Sequence, residues 1–136
     1  MPIEFHDNSV EVKDAIDAAI VAWLNEAAGE MEAQVKRNTP VDTGQLKGSW
    51  EYEVDETKQE AVVGSPLENA IWNEFGTGQY ALNGDGRKTP WHWQDVKGNW
   101  HTTRGKRPQR SLWNAFEKLK PKLQKALENK LKEGTT

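Results

Sequence analysis

The chain has 136 residues, of which 35% are hydrophobic, 29% charged and none cysteine. That length fits one domain with a modest core, and the lack of cysteine excludes disulfides and thiolate metal ligands. The net charge of −3 conceals a split: residues 1–86 hold 5 Lys+Arg against 17 Asp+Glu, net −12, and residues 87–136 hold 13 against 4, net +9.

The segment Met1-Pro2-Ile3-Glu4-Phe5-His6-Asp7 is acidic and has no long apolar stretch. The longest apolar run, residues 18–24, is far too short to span a bilayer. Neither a signal peptide nor a membrane partner is expected. Asn8 with Glu11 resembles a capping box. Behind it Val12, Ile16, Ile20, Trp23, Ala27, Met31 and Val35 recur at spacings of three and four, which predicts a long amphipathic helix. Lys36 and Arg37 suit its C-terminal dipole, and Thr39-Pro40 stops it. In the turn that follows, Asp42 is expected to accept backbone N–H groups and Gly44 to supply a positive φ before the first strand.

Trp50, Tyr52 and Val54 alternate with Ser49, Glu51 and Glu53, the period of a strand with one polar face. Asp55-Glu56-Thr57-Lys58 turns the chain and Ala61-Val62-Val63 returns it as a hairpin. Ser65-Pro66-Leu67-Glu68 predicts a helix start with Ser as N-cap. Leu67, Ile71 and Phe75 are then expected to share one face, and Gly76 to end a short helix. Residues 77–89 are Gly-rich and polar, as in a flexible loop.

Trp91-His92-Trp93-Gln94 and Trp100-His101-Thr102-Thr103 flank Asp95-Val96-Lys97-Gly98-Asn99, which predicts a second hairpin with a bulge. If Asp95 faces Asn99, then Trp93 faces His101 and His92 lies on the opposite face. Leu112, Phe116, Leu119, Leu123, Leu127 and Leu131 form the stripe of a last helix, with a kink or break expected near Pro121. Residues 133–136 should fray. The pattern as a whole predicts an α+β domain: two long helices on a small antiparallel sheet made by two hairpins.

Chemistry is hard to find in these residues. Gly84-Asp85-Gly86-Arg87-Lys88-Thr89 loosely resembles a phosphate-binding loop, but Arg87 separates Gly from Lys and Pro90 opposes a following helix. His6, His92 and His101 are too few and too scattered for a metal site, so packing or hydrogen bonding suits them better. Glu74, Glu51 and Glu53 have no partner at a diagnostic spacing and read as solvated carboxylates. No catalytic residue, cofactor or metal is expected.

The segment 87–110 is more informative. It carries Arg87, Lys88, Lys97, Arg104, Lys106, Arg107 and Arg110 against Asp95 alone, with Trp91, Trp93 and Trp100 interleaved. The chain has seven Trp in all, and Trp is enriched at interfaces. Such a surface can bind phosphates and bases, or an acidic protein partner such as the first part of another copy. We take Arg87, Lys88, Trp91, Trp93, Trp100, Arg104, Lys106, Arg107 and Arg110 as a candidate subunit interface, with nucleic-acid binding as the alternative.

Three blocks then carry a resemblance. Pro40-Val41-Asp42-Thr43-Gly44-Gln45-Leu46 with Ser49 resembles the PVDTGxLxxS opening of the phage HK-ninety-seven gene-product-ten-like family of tail components. Glu74-Phe75-Gly76-Thr77 is similar to its EFGT block. Residues 91–102 followed by Gly105, Lys106 and Pro108 resemble its hairpin and GxxP approach to the last helix. The resemblance spans about residues 35–119. It departs near Leu112, where Ser111 and Asn114 replace the Phe and second Pro of the family's RPFLRPA ending. It implies a virion protein of the neck at the head–tail junction, made in the bacterial cytoplasm and acting as a ring. Other neck and tail proteins would be its partners, and DNA would pass through the lumen without sequence-specific contact.

Overall fold

The computed structural model describes residues 9–40 and 44–135, and the side chains of those up to residue 133. The fold is α+β. Helix α1 (Ser9–Asn38) is followed by a short helix α2 (Gly44–Ser49) and a hairpin of β1 (Glu51–Asp55) and β2 (Glu60–Gly64). Next come α3 (Asn69–Phe75), a single 3-10 turn (Gly78–Tyr80), a second hairpin of β3 (Trp91–Gln94) and β4 (Trp100–Thr103), and α4 (Ser111–Thr135).

The dominant packing is α1 against α4, with the first hairpin laid on α1. Ala27, Met31 and Val35 of α1 meet Ala115, Leu119 and Leu123 of α4, and Leu46, Trp50 and Ala70 complete the buried cluster. The N-terminal part of the expected α1 stripe is not buried: Val12 is exposed and Ile16 and Ile20 are half-covered. On α4, Phe116 is likewise exposed, while Ser111 and Ala115 take the innermost places. Polar cross-links along their length tie the two helices. The Trp23 indole N–H donates to the Leu123 carbonyl at 2.7 Å. Lys122 pairs with Glu30 at 3.4 Å and Lys130 with Glu26 at 3.2 Å. Part of the charge split is therefore an internal embrace of acidic α1 by basic α4.

Asn8 and Asp42 lie outside the described residues, as does Thr43. Gly44 differs from expectation. It has no positive φ and instead opens α2, which stands between the Thr39-Pro40 stop and β1. Thr39 seals this corner: its hydroxyl donates to the Val35 carbonyl at 2.7 Å and accepts the Trp50 indole N–H at 2.9 Å.

The register of the first hairpin sets Tyr52 opposite Val63 and Val54 opposite Ala61 on the inner face. Glu51, Glu53 and Asp55 occupy the outer face with Gly64, Val62 and Glu60 opposite. In the second hairpin Trp93 pairs with His101 and His92 with Thr102, as the turn chemistry predicts. The Asp95 carboxylate accepts the N–H groups of Lys97 and Asn99, each at 2.9 Å. Gly98 takes the positive φ of 88°.

The two hairpins do not join. Each is its own two-stranded sheet, and the second packs substantially on no helix and not on the first hairpin. Helix α4 passes through Pro121 without a break. Its proline faces solvent, so packing against α1 holds the helix together on the other side.

Candidate functional site

Helix α3 buries a polar face. Ala70, Asn73 and Glu74 are buried, while Ile71, Trp72 and Phe75 are exposed. The expected apolar face of Leu67, Ile71 and Phe75 is thus mostly turned outward. The Ser65 hydroxyl does accept the Leu67 N–H at 3.1 Å, but the regular helix begins later, at Asn69.

The reason for the polar face lies at the start of α4. Glu74 Oε1 accepts the N–H of Leu112 at 2.8 Å and Oε2 that of Trp113 at 3.1 Å. These are donors of the first helical turn, which have no intrahelical acceptor, and a carboxylate there also meets the positive end of the dipole. Glu74 is therefore a cap supplied from 38 residues away, not a solvated carboxylate. Arg110, whose φ of 56° turns the chain into α4, lies 3.6 Å from Glu74 Oε2. Its guanidinium stacks over Phe75 and Trp113. Arg110 thus belongs to the internal joint rather than to a free interface.

Asn73 and Ser111 complete the joint. The Asn73 carbonyl accepts the Gln109 N–H at 2.7 Å, and its side-chain amide donates to Ser111 Oγ at 2.9 Å. Ser111 Oγ donates to the Asn38 carbonyl at 3.2 Å, and the Asn38 amide returns a bond to the Ser111 carbonyl at 3.1 Å. The ends of α1 and α3 and the start of α4 meet here. A phenylalanine at position 111 could make neither of the two bonds of the Ser111 hydroxyl.

The segments 76–78 and 104–108 lie backbone against backbone. The Thr77 N–H donates to the Lys106 carbonyl at 2.9 Å, and the Lys106 N–H to Thr77 Oγ1 at 2.8 Å. A Cβ on Gly76 would come within 2.7 Å of the Lys106 carbonyl oxygen and 2.9 Å of the Pro108 ring. A Cβ on Gly105 would strike the Thr77 carbonyl oxygen. Gly76, Thr77, Gly105 and Pro108 are therefore the two halves of one joint. The start of the expected loop is correspondingly tied down: Gln79 N–H donates to the Arg104 carbonyl at 3.0 Å and Leu82 N–H to the Phe75 carbonyl at 2.7 Å.

The remaining candidate interface residues lie on the second hairpin and the segments that flank it. Arg87, Lys88, Trp93, Trp100, Arg104, Lys106 and Arg107 are exposed, and Trp91 is half-buried. Arg107 stacks over Tyr80 at 4.7 Å and Arg87 over Trp91 at 5.8 Å. Trp91 and Trp93 share one face of the hairpin, with Trp93 stacked on His101 at 4.5 Å. Trp100 lies on the other face, opposite Gln94 and beside His92. The tryptophans do not form a single stacking platform of the kind that single-strand binders use.

The two described histidines are engaged within the second hairpin. His92 bonds Thr102 at 2.8 Å and His101 bonds Asp95 at 2.9 Å. No group of three or more His, Asp or Glu residues that could hold a metal occurs among the described residues. Nor is any described helix long and apolar enough to cross a membrane. A groove of about 510 Å³ between α1, α4 and β2 is lined by apolar groups such as Trp23, Met31, Val63 and Phe116. The carboxylate in its wall, Glu74, is already occupied in capping α4. The phosphate-loop-like run is followed by Pro90 and β3, not by a helix.

No curated protein and no solved structure matches the chain. One family does, over residues 3–76, a range that holds α1, the first hairpin and Glu74-Phe75-Gly76 and stops short of the second hairpin and α4. It is described as "Bacteriophage HK97-gp10, putative tail-component". With more than half its length matched, the chain belongs to this HK97-gp10-like family of bacteriophage structural proteins.

Proposed function

We propose that the protein is a non-enzymatic subunit of the phage head–tail junction, which helps join DNA-filled heads to tails as a ring of identical copies in contact head to tail. Charge separation carries this reading. Lys122 and Lys130 of α4 find glutamates on α1, yet Lys88, Arg104, Lys106 and Arg107 at the base of the second hairpin have no ion pair among the described residues. Opposite charges left on different parts of one surface favour contact between different patches of neighbouring copies, which closes into a ring when the rotation permits. The projecting hairpin adds exposed Trp93 and Trp100, the residue type that most often dominates interface affinity.

Reversing the charges of Arg104, Lys106 and Arg107 tests the reading, because none of these side chains forms part of the buried core. Phage producing the variant should accumulate unjoined heads and tails while the purified chain keeps its melting temperature. Joined, infectious particles at normal yield would refute the electrostatic mechanism.

A further inference from the structure

The strongest acidic feature of the molecule, once the α1–α4 pairs are set aside, is the outer face of the first hairpin. Glu51, Glu53 and Asp55 on β1 lie beside Glu60 on β2, and Glu56 follows in the turn. All five are exposed, and none has an ion pair among the described residues. Lys58 is the one cation within this hairpin. At the centre of the face stands Val62, 65% exposed, directly opposite Glu53. An apolar centre ringed by unpaired carboxylates is the anatomy of a protein interface rather than of a solvated strand.

The second hairpin is complementary in each respect. It projects from the body and carries Lys97 at its turn and Lys88, Arg104, Lys106 and Arg107 at its base. Val96 at its tip is fully exposed, and Trp100 is 69% exposed. Its one acid, Asp95, is engaged by His101 and by the backbone of its own turn.

We propose that the outer face of β1–β2 is the docking site for the β3–β4 hairpin of a second copy of this chain. Trp100 and Val96 cover Val62, and the flanking cations meet Glu51, Glu53, Asp55 and Glu60. This inference rests on the head-to-tail reading above and names its receiving surface. The contact joins two different patches, so each copy keeps one free patch of each kind and a chain of copies can grow until it closes.

The natural absence of cysteine makes the contact directly testable. Val62→Cys and Val96→Cys both change exposed side chains. In phage assembled with the full-length double variant, mild oxidation should produce a ladder of disulfide-linked multimers. Either single variant should produce none, because a heterologous contact never brings a residue to its own copy. Joined particles bearing both cysteines but giving no ladder would overturn the proposal, and so would cross-linking by either single variant. A charge swap provides the second arm. Glu51, Glu53 and Glu60→Lys should block joining, and combining this with Arg104, Lys106 and Arg107→Glu should restore at least tenfold of the lost yield. If the basic reversal alone blocks joining and the acidic reversal leaves it intact, the docking site is wrong while the head-to-tail reading stands. If neither reversal has an effect, both fail.

Discussion

Glu74 and Leu112 are joined by a 2.8 Å bond from the Leu112 backbone N–H to the Glu74 carboxylate, so the last turn of α3 caps the first turn of α4. The bond explains why a short helix buries a carboxylate and exposes isoleucine and tryptophan. It also explains why the sequence around residues 74–77 and 105–112 is specific without being catalytic. Removing the Glu74 side chain leaves two first-turn donors without an acceptor and Arg110 without its anion. Glu74→Ala should cost about 2 kcal/mol of folding stability, and Glu74→Gln about half as much because the amide oxygen still accepts. Urea denaturation of the two variants checks this, and an unchanged midpoint for Glu74→Ala would rule out the capping role.

The glycines provide a graded test of the same joint. Gly76, Gly84 and Gly105 all have positive φ, but a Cβ on Gly84 meets nothing within 4 Å, whereas one on Gly76 or Gly105 meets backbone. Gly84→Ala should cost about 1 kcal/mol from the backbone conformation alone. Gly76→Ala and Gly105→Ala should each exceed about 2 kcal/mol because the two segments must separate. Equal losses at all three positions, read by thermal unfolding, would show that the close approach does not matter.

Amide exchange should divide the segment between α3 and β3. The N–H groups of Thr77, Gln79 and Leu82 donate to backbone carbonyls, whereas those of residues 85–89 take part in none of the backbone bonds outside helices and strands. Exchange should be slow in the first group and fast in the second. Uniformly fast exchange from 77 to 89 would mean that the joint is open in solution.

Acid should loosen the second hairpin only as Asp95 takes up its proton. The Asp95 carboxyl is held below its ordinary 3.8, first by the hydrogen bond to His101 and then by the N–H groups of Asn99 and Lys97. A folded value below the unfolded one means that the contribution of Asp95 is complete above about pH 3.8 and disappears as pH falls through the folded value. Carboxyl NMR should place its midpoint below 3.8, with amide shifts of residues 95–101 following it. In Asp95→Asn those amides should show no such transition. A midpoint at or above the ordinary value would contradict the hydrogen-bonded turn.

Much of this was legible in the chain itself. The three-and-four spacing along residues 12–35 determined α1, because a helix repeats its face locally. Asp95 and Gly98 determined the register of the second hairpin, because turn geometry depends on those residues alone. Gly76 announced the end of α3 for the same reason. Tertiary structure decided the rest. Glu74 looked like any surface carboxylate until the start of α4, 38 residues on, came to lie against it. Ile71 and Phe75 had the spacing of a buried face, but the space beside α3 is filled by the backbone of residues 105–113, which asks for hydrogen-bond acceptors and not for methyl groups. Whether two hairpins share a sheet depends on which strand edges meet, and an individual strand does not encode its neighbour. Local periodicity and turn chemistry are properties of short stretches, whereas caps and close backbone approaches belong to pairs of segments brought together only by folding.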